Sequence, residues 1–262
     1  MNFRLGGKAN KGESLEVYTP KTWGELHVIL RELHEIRGDD GDYNDIDTQY
    51  ITDMSDLFYG TTFKWFNGDI SQWNTSNVTK MERMFCECEH FNCDISQWDT
   101  SKVEDMSNMF WGASSFNQDI GRWDVSHVKN MHGMFTYAST FNQDISKWDV
   151  SNVIGMSRMF NFANQFNQDI SCWDTSNVNS TTMMFCEASS FNQDLSNWDM
   201  SHNIMSDYMF DDATSLSIMP KFKLPDANDM CEKMFRGTKI SKWERFKFYF
   251  RISIRHLFWP FI

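Results

Sequence analysis

Apolar residues recur in this chain at a fixed interval. A Met-Phe pair falls at 84–85, 109–110, 134–135, 159–160, 184–185, 209–210 and 234–235, a period of 25 residues. Trp at 73, 98, 123, 148, 173 and 198 keeps the same period. Phe91-Asn92, Phe116-Asn117, Phe141-Asn142, Phe166-Asn167 and Phe191-Asn192 repeat in register, each leading through one residue to Asp and then Ile or Leu. Such self-similarity marks a repeat architecture. The first unit, from Met54, carries two extra residues between Phe58 and Asp69. The last decays after Met209, with Leu216 in place of Phe and with Pro220 and Pro225 in the turn region.

Each unit contains two patterns. Met81, Met84, Phe85, Cys88 and Phe91 sit at i, i+3, i+4, i+7 and i+10, which predicts one face of a helix. The i+7 slot stays small (Cys88, Ala113, Ala138, Ala163, Ala188, Ala213), as close packing between layers requires. Thr79 with Glu82 predicts a capping box, and Asp105 or Asn130 predict caps in other units. Phe-Asn-Gln-Asp is turn chemistry, with Asn and Asp bonding nearby backbone. Ile95, Trp98, Thr100 and Val103 follow, and the Trp-x-Val/Thr alternation predicts a short strand with Trp inward and the next Asp outward. One unit cannot bury its apolar face alone, so the units must stack. The expectation is an α/β repeat solenoid of about six to seven units with parallel strands ~4.8 Å apart, Met, Phe and Trp forming ladders inside it.

The ends break the period. Residues 22–36 predict an amphipathic helix, with Thr22 and Glu25 as its capping box, Leu26, Ile29, Leu30 and Leu33 as its apolar face, and Gly38 onward as its stop. Phe246, Phe248, Phe250, Ile252 and Ile254 alternate with Lys247, Tyr249, Arg251, Ser253 and Arg255, a strand period suited to closing the far end. The organisation is an N-terminal entry and capping helix over 1–53, the repeats over 54–238, and a basic aromatic cap or tail over 239–262.

Charge follows these boundaries: the three segments carry nets of -5, -12 and +5 within a total of -12 over 262 residues. An acidic array argues against nucleic acid as partner, because phosphate binding needs clustered Lys and Arg. Membrane contact is expected only through the basic, aromatic tail. Met1–Pro20 lacks the apolar stretch of a secretory signal, so the chain on its own reads as intracellular.

The unit Met-x-x-Met-Phe-x-x-Ala-x-x-Phe-Asn-Gln-Asp-Ile-Ser-x-Trp-Asp-Val-Ser-x-Val resembles the repeat of the BspA-like leucine-rich-repeat surface proteins, which overlaps the repeats of mycoplasma surface lipoproteins. Tyr18-Thr-Pro-Lys-Thr-Trp-Gly-Glu-Leu and Ile51-Thr-Asp-Met-Ser-Asp-Leu-Phe are similar to that family's N-terminal entry. The resemblance implies a leucine-rich-repeat-like stack, a location at the bacterial surface, and binding or adhesion to a protein or a glycan. It implies no catalytic residue and no cofactor.

The residues themselves offer few chemical constellations. Asp99, Asp124, Asp149, Asp174 and Asp199 follow the Trp of successive units and predict an outward row. Each can bond its own backbone as an Asx turn, and the row could alternatively meet a cationic partner or hold divalent cations. The second row, Asp69, Asp94, Asp119, Asp144, Asp169 and Asp194, is expected to be structural. Cys86, Cys88, His90 and Cys93 resemble a metal cluster, but the register points them in different directions. His127 and His132 lack a recurring nucleophile or acid. Trp111, Tyr137, Phe162 and Glu187 are read as variable helix positions on the outer side, and exposed aromatic residues mark interaction patches. The expected function is non-enzymatic recognition; the alternatives are a repeat without a dedicated ligand and a metal-dependent protein using the Asp rows.

Overall fold

The computed structural model describes residues 17–222, 234–241 and 244–245. Its first element is α1, Trp23–Arg37. Thr22 Oγ1 accepts the Glu25 N–H at 3.2 Å, satisfying one of the donors that a helix start leaves free. The Glu25 carboxylate reaches back to the Lys21 N–H at 2.7 Å, one residue earlier than a capping box would place it. Leu26, Ile29, Leu30 and Leu33 are all buried. Trp23 Nε1 donates to the Ser55 carbonyl at 2.8 Å, and His34 meets Phe63 edge-on at 5.1 Å, so α1 is fastened over the first unit. Gly38 closes the helix at φ 72°, a conformation glycine adopts without steric cost, and its N–H bonds the His34 carbonyl.

Beyond α1 the secondary structure departs from expectation. Among the described residues there is no helix in the repeated Met-Phe segments and no strand longer than one residue. Parallel pairing is confined to isolated bridges: Tyr18 with Ile46 and Asp42 with Asp69 near the start, then Asp53 with Lys80, Lys80 with Asp105, Asp105 with Asn130, Asn130 with Gly155, Gly155 with Ser180, and Ser180 with Met205. The chain is therefore not an α/β solenoid of parallel strands with a helix in each unit.

The cause lies in where the backbone donors go. Met81, Arg83, Phe85 and Glu87 donate to Asp105, Ser107, Met109 and Trp111 of the next unit at 2.9, 2.9, 2.9 and 2.6 Å. The N–H groups between them turn back three residues, Met84 to Met81, Cys86 to Arg83 and Cys88 to Phe85. Overlapping turns with alternate donors pointing to the neighbour replace the i→i−4 ladder of a helix. They still place residues at i, i+3, i+4 and i+7 inward, so the apolar pattern is the same. Such turns need left-handed residues, and Arg83 and Glu87 supply them at φ 51° and 63°. Thr79 forms no capping box: its Oγ1 and N–H both bond the Thr52 carbonyl of the preceding unit.

The Trp segment fails as a strand for a related reason. Trp98 N–H bonds Ile95 and Val103 N–H bonds Thr100, so turns interrupt any extended run. Side chains make many of its inter-unit bonds. Trp98 Nε1 donates to Ile70 O at 3.3 Å and Thr100 Oγ1 to Asp124 O at 2.9 Å. Asn and Gln act likewise. Asn117, Asn142, Asn167 and Asn192 each donate their N–H to the Oδ1 of the preceding unit's Asn at 2.9 Å. Gln118, Gln143, Gln168 and Gln193 reach the preceding Asn carbonyl at 2.8–2.9 Å.

The expected ladders of large side chains are present. Phe85, Phe110, Phe135, Phe160, Phe185, Phe210 and Phe235 stack at 5.3–5.7 Å between ring centres and within 12° of parallel. Phe91, Phe116, Phe141, Phe166 and Phe191 form a second column at 5.9–6.1 Å. The columns touch within each unit, as Phe110 does Phe116 at 3.9 Å. Trp148, Trp173 and Trp198 stack at 6.2–6.4 Å. Met84 and its equivalents, with Cys88 and the five alanines of the small slot, are buried among them. The extra length of the first unit forms a 3-10 turn, Thr61–Phe63, that buries Phe63. At the far end Met234 and Phe235 rejoin the stack, with Phe210 N–H on Met234 O at 2.9 Å. Ser241 and Glu244 exchange side-chain and backbone bonds at 3.1–3.2 Å. The expected strand over 246–255 lies outside the described residues.

Trp148 is buried, and its Nε1 donates to Ile120 O at 3.0 Å. Trp148→Ala is expected to cost roughly 3–5 kcal/mol in chemical denaturation. Trp148→Phe, which leaves the Ile120 carbonyl unbonded, should cost about 1–3 kcal/mol. A shift below about 1 kcal/mol for the alanine variant would place this ring outside the cooperative core.

Candidate functional site

The repeat leaves one outer corner where its residue types change from unit to unit. It lies between the inward Phe85 and Phe91 and their equivalents, and one column there runs Glu87, Gly112, Tyr137, Phe162, Glu187, Asp212. Every member has φ between 53° and 74°. Left-handed backbone costs a residue with a Cβ on the order of 1 kcal/mol, and the bonds of both neighbouring units hold it in place. Tyr137 N–H, for example, donates to Asn161 O at 2.8 Å. With Phe135 and Ala138 turned inward on either side, the Tyr137 side chain projects outward and is 47% exposed.

The outer side-chain set is thus partly brought together. Tyr137 and Phe162 stack face to face at 4.5 Å and 16°. Glu187 follows in the same column. Trp111, 37% exposed, stands one position earlier in its unit, in the column of Tyr59, Cys86 and Thr136. None of these is a helix position, and the 25-residue period by itself puts Trp111 and Tyr137 in different columns.

Two more outer rings lie at this corner in the first unit. Tyr59 carries Arg83 over its face at 5.5 Å, and Trp65 carries Lys64 at 4.7 Å. Each cation is also held by a carboxylate, Arg83 by Asp56 at 2.8 Å and Lys64 by Glu89 at 3.2 Å. Trp65 further meets His90 at 4.6 Å. Both rings belong to the lengthened first unit, in which Tyr59 stands 27 residues before its equivalent Cys86 while Trp65 keeps the 25-residue count to His90.

The carboxylate row is placed differently. Asp99, Asp124, Asp149 and Asp174 are exposed and Asp199 is half-buried. Each gives Oδ1 to the N–H of the Ser two residues on, at 2.9–3.1 Å. Asn74 does the same for Ser76 in the first unit. The hydroxyl and N–H of Ser101 and Ser126 hold the Asp99 and Asp124 carboxyls below their ordinary pKa. The second row is built alike, Asp69, Asp94, Asp144, Asp169 and Asp194 each accepting from a serine N–H and Asp119 from Gly121 at 2.9–3.0 Å. A cleft of about 340 Å³ opens where these polar turns meet, between Asp69–Gln72 and Asp94–Gln97.

Cys86, Cys88 and Cys93 do not converge. Cys88 is buried with Sγ against Phe58 O at 3.3 Å, while Cys93 is partly open beside Asp69. Burial pushes the Cys86 thiol up to about 12 and the Cys88 thiol well above its ordinary value, the reverse of an activated thiolate. Among the described residues no three of His, Cys, Asp and Glu come together as metal ligands. Nor is any described helix long and apolar enough to cross a membrane.

Stacked units of one length, held by inter-unit side-chain and backbone columns, define a repeat protein. A family model described as "Mycoplasma protein of unknown function, DUF285" matches residues 30–143 and 117–222. These ranges cover most of the chain, and the protein belongs to that family. No curated protein and no solved structure matches it.

The capping role of the carboxylates fixes a pH response. Their pKa is lowered in the fold, so the stability they contribute is present above the ordinary value of 3.8 and lost as pH falls through the folded values. His27, stacked on Trp23, and His132 are pushed below 6.5 by burial, so their contribution is present above 6.5 and lost as pH falls through their own folded values. Melting curves should therefore show two acid limbs. Asp99→Asn with Asp124→Asn, which copies the native Asn74, should retain the melting temperature at pH 7 and shallow only the lower limb. Loss of folding at pH 7 would mean that the charges, and not the Asx bonds, hold these turns.

Proposed function

We propose that the protein is a non-enzymatic recognition module that presents its outer corner to a protein or glycan ligand. The observation that carries this reading is the Tyr137–Phe162 stack, its Tyr exposed and its Phe half-buried, set on left-handed backbone in a column whose other members are Glu, Gly and Asp. Every other repeated side chain named above is spent on the stack, as ring ladder, turn cap or inter-unit bond. A ring as open to solvent as Tyr137 contributes little to folding, and exposed aromatic residues are the usual anchors of recognition. The resemblance of the unit to BspA-like leucine-rich-repeat surface proteins supports an adhesion-type role at a cell surface.

The same geometry argues against chemistry at the Asp rows. Oδ1 of each Asp is committed to its own turn, and the carboxylates stand apart, one in each unit. Redundant groups spread along a line suit extended contact better than a single reaction centre.

The test is a glycan and peptide array probed with the full chain and with a Tyr137→Gly/Phe162→Gly variant. Glycine is native at this column in Gly112, so the variant should fold. Array ligands should lose about tenfold or more in signal with the variant. Signals equal for both proteins would overturn recognition at this corner and favour a repeat without a dedicated ligand. In the same series EDTA should shift the melting temperature by less than ~5 °C; a larger drop would return the Asp rows to consideration as cation sites.

A further inference from the structure

We propose that the column Glu87–Gly112–Tyr137–Phe162–Glu187 is the docking track for an extended, Lys- or Arg-bearing segment of a partner protein. This rests on the recognition reading above and names its partner class. The argument comes from the first two units, where two outer rings are already occupied. Tyr59 has Arg83 over it and Asp56 behind Arg83; Trp65 has Lys64 over it and Glu89 behind Lys64. Ring, cation and carboxylate form a triple in both cases, supplied entirely by this chain. A cation over an aromatic face is attracted to the ring quadrupole, and the carboxylate adds to its hold.

At Tyr137 and Phe162 the rings recur without a cation, and the column carries its carboxylates at the ends, Glu187 one unit after Phe162 and Glu87 two units before Tyr137. Among the described residues no Lys or Arg lies over either ring, and neither Glu87 nor Glu187 is in an ion pair. Other acids of this corner are matched, Asp211 and Asp212 by Arg236 at 2.5 and 3.8 Å. The exposed Arg158 borders the Tyr137 unit, with its carbonyl accepting from Thr136 Oγ1 at 2.6 Å and its charge acting on His132, so an incoming cation is directed away from it, toward Gly112. That side is open. Gly112 has no side chain, and a Cβ there would find nothing nearer than Glu87 Cα at 3.5 Å. The net charge of -12 adds long-range attraction for a basic segment.

Spacing sets what fits. Glu87 and Glu187 are four units apart, or about 19 Å at ~4.8 Å for each unit. An extended chain rising ~3.3 Å for each residue spans that in about six residues. The segment expected is therefore extended, with basic residues about six apart and a further Lys or Arg between them for the Tyr137 face.

Fluorescence anisotropy with the full chain tests this, using labelled peptides of about 14 residues on a neutral polar background. One carries Lys at both ends of a six-residue span with Arg at its centre. A second has the same composition with the three cations adjacent, and a third has Glu in their place. The spaced peptide should bind about tenfold tighter than the clustered one, and the Glu peptide not at all. Tyr137→Gly/Phe162→Gly and Glu87→Gln/Glu187→Gln should each weaken the spaced peptide about tenfold. Glu32→Gln/Glu35→Gln on α1, an equal change of charge elsewhere, should leave it within about twofold. Melting curves confirm that each variant folds.

Equal weakening by the α1 variant, or no difference between spaced and clustered peptides, would overturn the track as unspecific attraction to an acidic surface. Loss of a neutral oligosaccharide or neutral peptide from the array on removing the rings, with the cationic peptide unaffected, would overturn the track and leave recognition at this corner standing. No ring-dependent ligand in either assay would overturn both.

Discussion

Every buried backbone N–H and C=O must find a partner, and described residues that form no sheet and, outside α1, almost no helix have to find them elsewhere. Here the partner is the next unit. Met81, Arg83, Phe85 and Glu87 donate forward to the unit after theirs, while the Asn column and the Trp indoles donate backward to the unit before. A unit taken alone would leave both sets unbonded and both faces of its Phe rings in water. Hydrogen bonding and ring stacking therefore impose the same condition: consecutive units must keep one length and one register. The columns of Asn, Gln, Trp and Thr are consequences of that condition, since each places a polar atom where the neighbouring backbone needs it.

This explains which parts of the fold are legible in the sequence. Phe110 and Phe116, Met109 and Trp123 recur at fixed positions because the ladders need a large apolar side chain at each step, and the period exposes the core directly. α1 is legible because Thr22, the leucines and Gly38 act within one segment. The path between the Phe columns is not. Turns at three-residue spacing and a helix both place Met81, Met84, Phe85 and Cys88 inward, so the apolar pattern cannot separate them. The usual sign of left-handed backbone is glycine, yet Arg83, Glu87, Tyr137 and Phe162 occupy those positions, held by bonds from units 25 residues away. A strand reading of Trp98 and Thr100 misses that their side chains, and not an extended backbone, carry inter-unit bonds there.

The outer corner divides the same way. Its aromatic content can be read from Tyr137 and Phe162, because departure from a repeat is as visible as the repeat. That the two stack follows from their shared column. Grouping Trp111 with them treats the segment as a helix, where neighbouring positions share a face; on alternating left-handed turns one step along the chain changes the column. The lengthened first unit hides Tyr59, which its two surplus residues put 27 positions before Cys86, whereas Trp65 keeps the common register, 25 before His90.

The 3-10 turn Thr61–Phe63 has a further consequence. It absorbs two surplus residues at the outer corner while Phe58 and Phe66 stay in their columns against Phe85 and Phe91. The stack thus behaves like a reading frame with a modulus of 25. Whole units can be gained or lost without disturbing phase, and any other insertion has to be looped out at that corner before the next Phe. Growth by duplication and variation by loop insertion are confined to different places on the molecule, and the place open to insertion is the one where the exposed rings stand.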